Sequence, residues 1–239
     1  MTSEQDTLKR AAAVSAVAKV ENGMKLGLGT GSTMGFALEE LARRIRQEDL
    51  RIAGIPTSLR TEARARALGI PLTGFAETET LDLAIDGADE LLPKSLTLIK
   101  GLGGALLRER IVAAAARRFL VVVDRSKVAE RFAARVPVPV EVVSFGHEST
   151  ARRVAQLGLR PELRVDGNGG PVITDGGNLL YDCHDVSANT DPAILAAELR
   201  RIVGVIDSGI FVGMATEAVV ANSPTALHWI KAELPNLRT

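Results

Sequence analysis

The chain is short of several things that would steer its reading. Among its 239 residues there is one cysteine, Cys183, so no internal disulfide can form and a reducing compartment is expected. Neither sign of charge is in excess: 29 basic residues face 29 acidic ones, and no basic field exists to hold a nucleic-acid backbone. Met1 to Asp6 is polar and the helix after it is only mildly apolar, so neither a signal peptide nor a membrane span is expected, and the cytoplasm is the expected address. Histidine is limited to His147, His184 and His228. Lysine is scarce as well, at seven of the 29 basic residues.

What is present suits a globular protein, with 46% hydrophobic and 24% charged residues. The length allows one large domain, or a main domain with a smaller one. Helical spacing is expected over residues 8–21, 34–46, 58–68 and 105–118. Short apolar strands are expected at 24–29, 51–56, 81–86, 96–99 and 119–124. This alternation predicts an α/β fold: a doubly wound, mostly parallel sheet of Rossmann-like layout. Near Arg135 the character changes. Val136–Val143 carries two prolines and reads as an edge strand or linker. A helix is expected at 148–157, strands at 163–165, 172–174 and 179–183, and a helix at 192–203 with Pro192 in its first turn. A smaller inserted α+β domain is therefore placed at 132–205, with 1–131 and 206–239 forming the α/β catalytic domain.

Chemistry-bearing residues gather at the strand ends. Gly27-Leu28-Gly29-Thr30-Gly31-Ser32-Thr33 joins a strand to a helix. Glycines allow positive φ, Ser32 or Thr33 can cap the helix, and free N–H groups at its start favour a phosphate or carboxylate. The third glycine of the dinucleotide fingerprint is missing, and so is the lysine of a phosphate-binding P-loop. A bare strand–turn–helix connection remains the plain alternative. Asp86 and Asp89 bracket Gly87 and Ala88 at the end of the 81–86 strand, where ligands of open α/β sheets sit. They can bind a metal, accept sugar hydroxyls or move protons. With no histidine nearby the metal reading lacks support, and an Asp-Gly turn can also serve its backbone alone.

Lys100 precedes the turn Gly101-Leu102-Gly103-Gly104. Glu109 follows on a helix where its neighbours at three- and four-residue spacing include Ala105, Leu106, Val112 and Ala113. Burial among apolar groups raises a carboxyl's pKa and suits a general base. The alternative is a structural glutamate paired with Arg108 or Arg110. Lys127, after the 119–124 strand, stands either at the same site or on a solvated surface.

Together these pieces resemble ribose-5-phosphate isomerase of the A type over nearly the whole chain. The resemblance rests on Gly29–Thr33, Thr57-Ser58, Asp86–Glu90, Lys100–Glu109, Ser126-Lys127 and Pro137–Val142. It implies interconversion of D-ribose 5-phosphate and D-ribulose 5-phosphate in the non-oxidative pentose phosphate pathway, with no metal and no cofactor. It also implies that Thr30, Gly31, Ser32, Thr33, Asp86, Gly87, Ala88, Asp89, Lys100, Gly101, Leu102, Gly103 and Lys127 line the substrate site. Glu109 is then the proton acceptor, assisted by Asp86, Asp89 and Lys100. Leu102 stands where the family often has glycine, so its side chain must point away if its N–H faces substrate. A sugar phosphate is the expected partner, in a homodimer or homotetramer, with no nucleic acid and no membrane. Two other classes share parts of the pattern. A coenzyme A transferase, with a glutamate nucleophile, favours a longer chain. A sugar-phosphate-sensing regulator needs a DNA-binding segment that residues 1–20 are too short to supply.

Overall fold

The computed structural model describes residues 3–232. In chain order the elements are α1 (Glu4–Val17), β1 (Lys25–Leu28), α2 (Ser32–Glu48), β2 (Ala53–Pro56), α3 (Leu59–Ala67), β3 (Leu83–Asp86), β4 (Glu90–Leu92), β5 (Thr97–Ile99), α4 (Leu106–Ala114) and β6 (Phe119–Asp124). A short 3-10 turn at Arg125–Lys127 follows. Then come β7 (Val138–Val142), α5 (His147–Ala155), β8 (Arg160–Leu163), β9 (Leu179–His184), α6 (Pro192–Arg201), β10 (Val205–Ser208), β11 (Ile210–Phe211), β12 (Glu217–Ala221) and β13 (Leu227–Lys231).

Six strands form the main sheet in the order β13-β12-β6-β3-β1-β2. All neighbours are parallel except the β12–β13 edge pair. Alternation along each strand sorts the side chains. Leu26, Leu28, Leu83, Ile85, Leu120 and Val122 pack with α1 and α2 on one face. Ala84, Phe119, Val121 and Val123 pack with Val112 of α4 and Phe211 of β11 on the other. Each fully buried aliphatic side chain contributes about 1.5–3 kcal/mol. From β1 the chain goes to β2 on one side and then back to β3 on the other. The order of connection therefore reverses between β1 and β3, and a crevice opens at their carboxyl ends.

Four antiparallel strands, β10-β7-β9-β8, make a second sheet covered by α5 and α6. A three-stranded sheet, β11-β5-β4, joins the two. The expected edge strand at 136–143 is instead interior. β7 lies between β10 and β9, despite Pro139. Proline is tolerated because the chain leaves the sheet at that point. Gly209 N–H donates to the Pro139 carbonyl at 2.7 Å, while the Gly209 carbonyl turns away to accept Lys100 N–H at 2.9 Å. The amide proton that Pro139 lacks is thus never called on. Other boundaries moved too. α1 begins at Glu4, not residue 8, because the Ser3 side chain caps it by accepting Asp6 N–H. Of residues 172–174 only Ile173 makes an isolated bridge, to Leu179, and β4 went unforeseen.

Candidate active site

Asp86 is the last residue of β3 and faces α4, as does Gly29 on the neighbouring strand end. A Cβ on Gly29 would lie 2.2 Å from Asp86 Cγ, so only glycine leaves room for this carboxylate. Asp86 Oδ1 accepts N–H from Thr30 at 3.0 Å and Gly87 at 2.7 Å. Its Oδ2 lies 3.0 Å from Lys100 Nζ. That ammonium also donates to the Gly87 carbonyl at 2.6 Å and stands 3.5 Å from Glu109 Oε2. All three side chains are at most 5% exposed.

This charge set has a definite electrostatic character. Burial pushes the Asp86 carboxyl above its ordinary value, while the Lys100 ammonium and the Gly87 and Thr30 N–H groups pull it back. Burial lowers Lys100, but the carboxylates Asp86, Glu109 and Asp89 outweigh it and hold the ammonium above its usual range. Burial dominates at Glu109. Lys100 offsets part of it, Asp86 and Asp89 add repulsion, and the pKa is raised to about 8. Among the described residues Oε2 of Glu109 has no hydrogen-bond partner; at 3.5 Å its contact with Lys100 is Coulombic. Neither flanking arginine claims Glu109. Arg108 approaches Asp175, and Arg110 pairs with Asp207.

A cavity of about 110 Å³, open to solvent, lies over these groups. Thr30, Gly31, Ser32, Thr33, Gly87, Ala88, Asp89, Lys100, Gly101, Gly103, Glu109 and Lys127 line it, as does Lys9. Asp86 sits behind the wall rather than in it. Leu102 lies outside the lining: its N–H donates to Asp89 Oδ2 at 2.9 Å and its side chain turns to solvent. Gly31, at φ +113°, is the N-cap of α2, so Ser32 and Thr33 are first-turn residues and not the cap expected from the sequence. Their N–H groups have no acceptor within the helix. With Lys9 and Lys127 beside them, that end of the cavity is built for an anion. Beneath it, Thr30 Oγ1 lies 2.7 Å from Thr57, 2.8 Å from Ser58 and 3.1 Å from Thr61, all buried.

Lys9 was missed because nothing on α1 hints at a site some twenty residues before the first strand end. Its one signal is that it belongs to the scarce lysines. Among the described residues no group of three or more His, Cys, Asp or Glu is arranged to hold a metal ion.

A crevice at the switch point of a parallel sheet, with free helix N–H groups and two lysines at one end and a buried carboxyl–ammonium pair at the other, has the chemistry of an enzyme site for a small anionic substrate. The family model for ribose 5-phosphate isomerase A (phosphoriboisomerase A) matches residues 53–224. A ribose-5-phosphate isomerase A from Roseiflexus castenholzii is 53% identical over 89% of this chain and 91% of its own. The solved ribose 5-phosphate isomerase A from Methanocaldococcus jannaschii superposes with a TM-score of 0.89 at 37% identity, covering 94% of this chain and 98% of its own. A D-ribose-5-phosphate isomerase solved in complex with phospho-erythronic acid gives 0.90 at 33% identity, over 96% and 100%. The chain belongs to the ribose 5-phosphate isomerase A family, a family of isomerases.

Proposed function

We propose that this chain interconverts D-ribose 5-phosphate and D-ribulose 5-phosphate through an enediolate, in the non-oxidative pentose phosphate pathway, with Glu109 as the general base. The observation that carries this reading is the pairing of a carboxyl held near pH 8 with the Lys100 ammonium, in one cavity with the free N–H groups of α2. The phosphate docks on the first turn of α2, with Ser32, Thr33, Lys9 and Lys127. That places the other end of the sugar toward Glu109. Ionised Glu109 takes the proton from C2 of the open-chain aldose. The C–H electron pair becomes the C1–C2 double bond, and the carbonyl π pair moves onto O1. Lys100 and the N–H groups of the glycine turn stabilise that oxyanion. Protonated Glu109 then returns its proton to C1, and O2 becomes the new carbonyl as its proton passes to O1. Asp89 is the group we assign to the hydroxyl protons: it lines the cavity, whereas Asp86 is engaged by Thr30, Gly87 and Lys100. Asp86 serves to hold the ammonium.

The bound phospho-erythronic acid of the solved relative fits the same cavity chemistry, with a phosphate at one end and a carboxylate in place of the enediolate oxygens. Replacing Glu109 by Gln tests the reading. The amide keeps shape and hydrogen bonding but accepts no proton, so kcat falls by about 10²–10⁴-fold with little change in KM. Near wild-type turnover would remove Glu109 from the reaction and make Asp89 the leading base.

A further inference from the structure

The second sheet reaches into the site through one side chain. Arg164, between β8 and the bridge at Val165, is 14% exposed and anchored by its backbone: its N–H donates to the Leu180 carbonyl at 2.8 Å. Its guanidinium grips both carboxylate oxygens of Asp182, with Nε to Oδ2 at 2.8 Å and Nη2 on Oδ1. The free side of the fork points across to the glycine turn. Nη1 donates to the carbonyls of Gly101 at 3.0 Å and Leu102 at 3.1 Å.

Two consecutive carbonyls held on one side dictate what faces the other. In a planar trans peptide the C=O and the following N–H point in opposite directions. Fixing the Gly101 carbonyl aims Leu102 N–H away from Arg164, and that N–H meets Asp89 Oδ2 at 2.9 Å. Fixing the Leu102 carbonyl aims Gly103 N–H the same way. Gly103 lines the cavity, and its N–H has no partner among the described residues. The turn is closed by Gly104 N–H, which donates to the Gly101 carbonyl at 3.0 Å, but among the described residues no backbone group holds the Leu102 carbonyl, and Gly101 and Gly104 both have positive φ and the freedom that goes with glycine.

We infer that Arg164, oriented by Asp182, is a positioning residue for the isomerisation: from the second sheet it sets the direction of the Gly103 N–H that faces the developing oxyanion, and through Leu102 N–H it fixes Asp89. The inference rests on the glycine turn acting as proposed above. Lysine cannot replace the fork, because one ammonium cannot grip a carboxylate side-on and bridge two carbonyls.

The test uses the full chain with Arg164→Lys, Arg164→Ala and Asp182→Asn. In the arginine variants kcat falls by about 10²-fold, the cost of a donor displaced by around an ångström, while KM changes by less than about threefold. Affinity for phospho-erythronic acid drops in proportion to kcat/KM, and affinity for inorganic phosphate, read by competition, stays unchanged. Added guanidinium restores part of the kcat of Arg164→Ala but does nothing for the wild type. Asp182→Asn moves kcat in the same direction by less. If Arg164→Ala does not fold, Arg164→Lys carries the comparison. Unchanged kcat in Arg164→Lys overturns the inference. So does a parallel loss of phosphate affinity, turnover and Tm, which would mark general loosening. Glu109→Gln separates this failure from failure of the functional reading. An inactive Gln variant beside a fully active Arg164→Lys defeats the inference alone, and an active Gln variant defeats the reading of the site itself.

Discussion

Burial raises the Glu109 pKa to about 8, which suits the base role proposed for it and also has a cost in stability. Its ordinary value is 4.5, so between that pH and about 8 the folded protein keeps a proton that the unfolded chain has released. Stability therefore falls as pH rises through this window. Glu109→Gln removes the titration and leaves Lys100 its partner Asp86 at 3.0 Å. The Tm of the variant relative to wild type should climb steadily from about pH 5 to about pH 9. A difference that is flat across that range, read by thermal melts in matched buffers, would show that Glu109 is not the titrating group. A buried carboxyl with a raised pKa was to be expected here from the sequence, because the neighbours at three and four residues are apolar. Sequence alone could not show that Arg108 and Arg110 look elsewhere, since that depends on Asp175 and Asp207, far along the chain.

At the scale of elements, the anion subsite is a property of one helix end and two lysines brought to it. α2 leaves its first N–H groups free at Gly31, and Lys9 of α1 and Lys127 of the 3-10 turn after β6 come to it from different parts of the chain. In the proposed reaction, binding at this non-reacting end positions the carbons over Glu109. Free ribose should consequently have a much lower kcat/KM than its 5-phosphate. Lys9→Ala and Lys127→Ala should each lower kcat/KM for the phosphorylated sugar by about 10-fold or more, while leaving the value for free ribose untouched. Equal losses on both sugars would place these lysines at the reacting end instead. The glycine loop was legible in the residues themselves and Lys127 only through the family resemblance; Lys9 was not, because helix packing and not chain order put it there.

For the whole molecule the sensitive point is the crossing at Gly209. This residue links the second sheet, through the Pro139 carbonyl, to the backbone of Lys100, just past β5 of the three-stranded sheet. A Cβ there would stand 2.1 Å from the Lys100 carbonyl oxygen and 2.9 Å from Pro139 Cδ. Gly209→Ala should destabilise the protein by about 3 kcal/mol or more, as read from urea unfolding midpoints. Gly35→Ala, in α2 with nothing within 4 Å of the new methyl, serves as the control and should be neutral or stabilising by up to about 1 kcal/mol. Similar midpoints for the two variants would mean that the sheets are joined more loosely than this contact implies.

Four strands of the main sheet, β1, β2, β3 and β6, were readable because each is a short apolar run, and local sequence carries that pattern; β12 and β13 were not foreseen, and the expected strand at 96–99 pairs in the three-stranded sheet instead. The strand-end position of Asp86, Gly29 and Thr30 followed from that pattern, since chain direction fixes which end of a parallel strand meets the ligand. The place of β7 did not follow. Local rules put a proline-bearing strand at an edge, and only the departure of Gly209 toward Lys100 lets Pro139 sit inside. The ammonium between two carboxylates and the reach of Arg164 to the glycine turn were likewise decided by tertiary structure. These contacts join residues tens of positions apart, and nothing in the spacing of either partner records the distance between them.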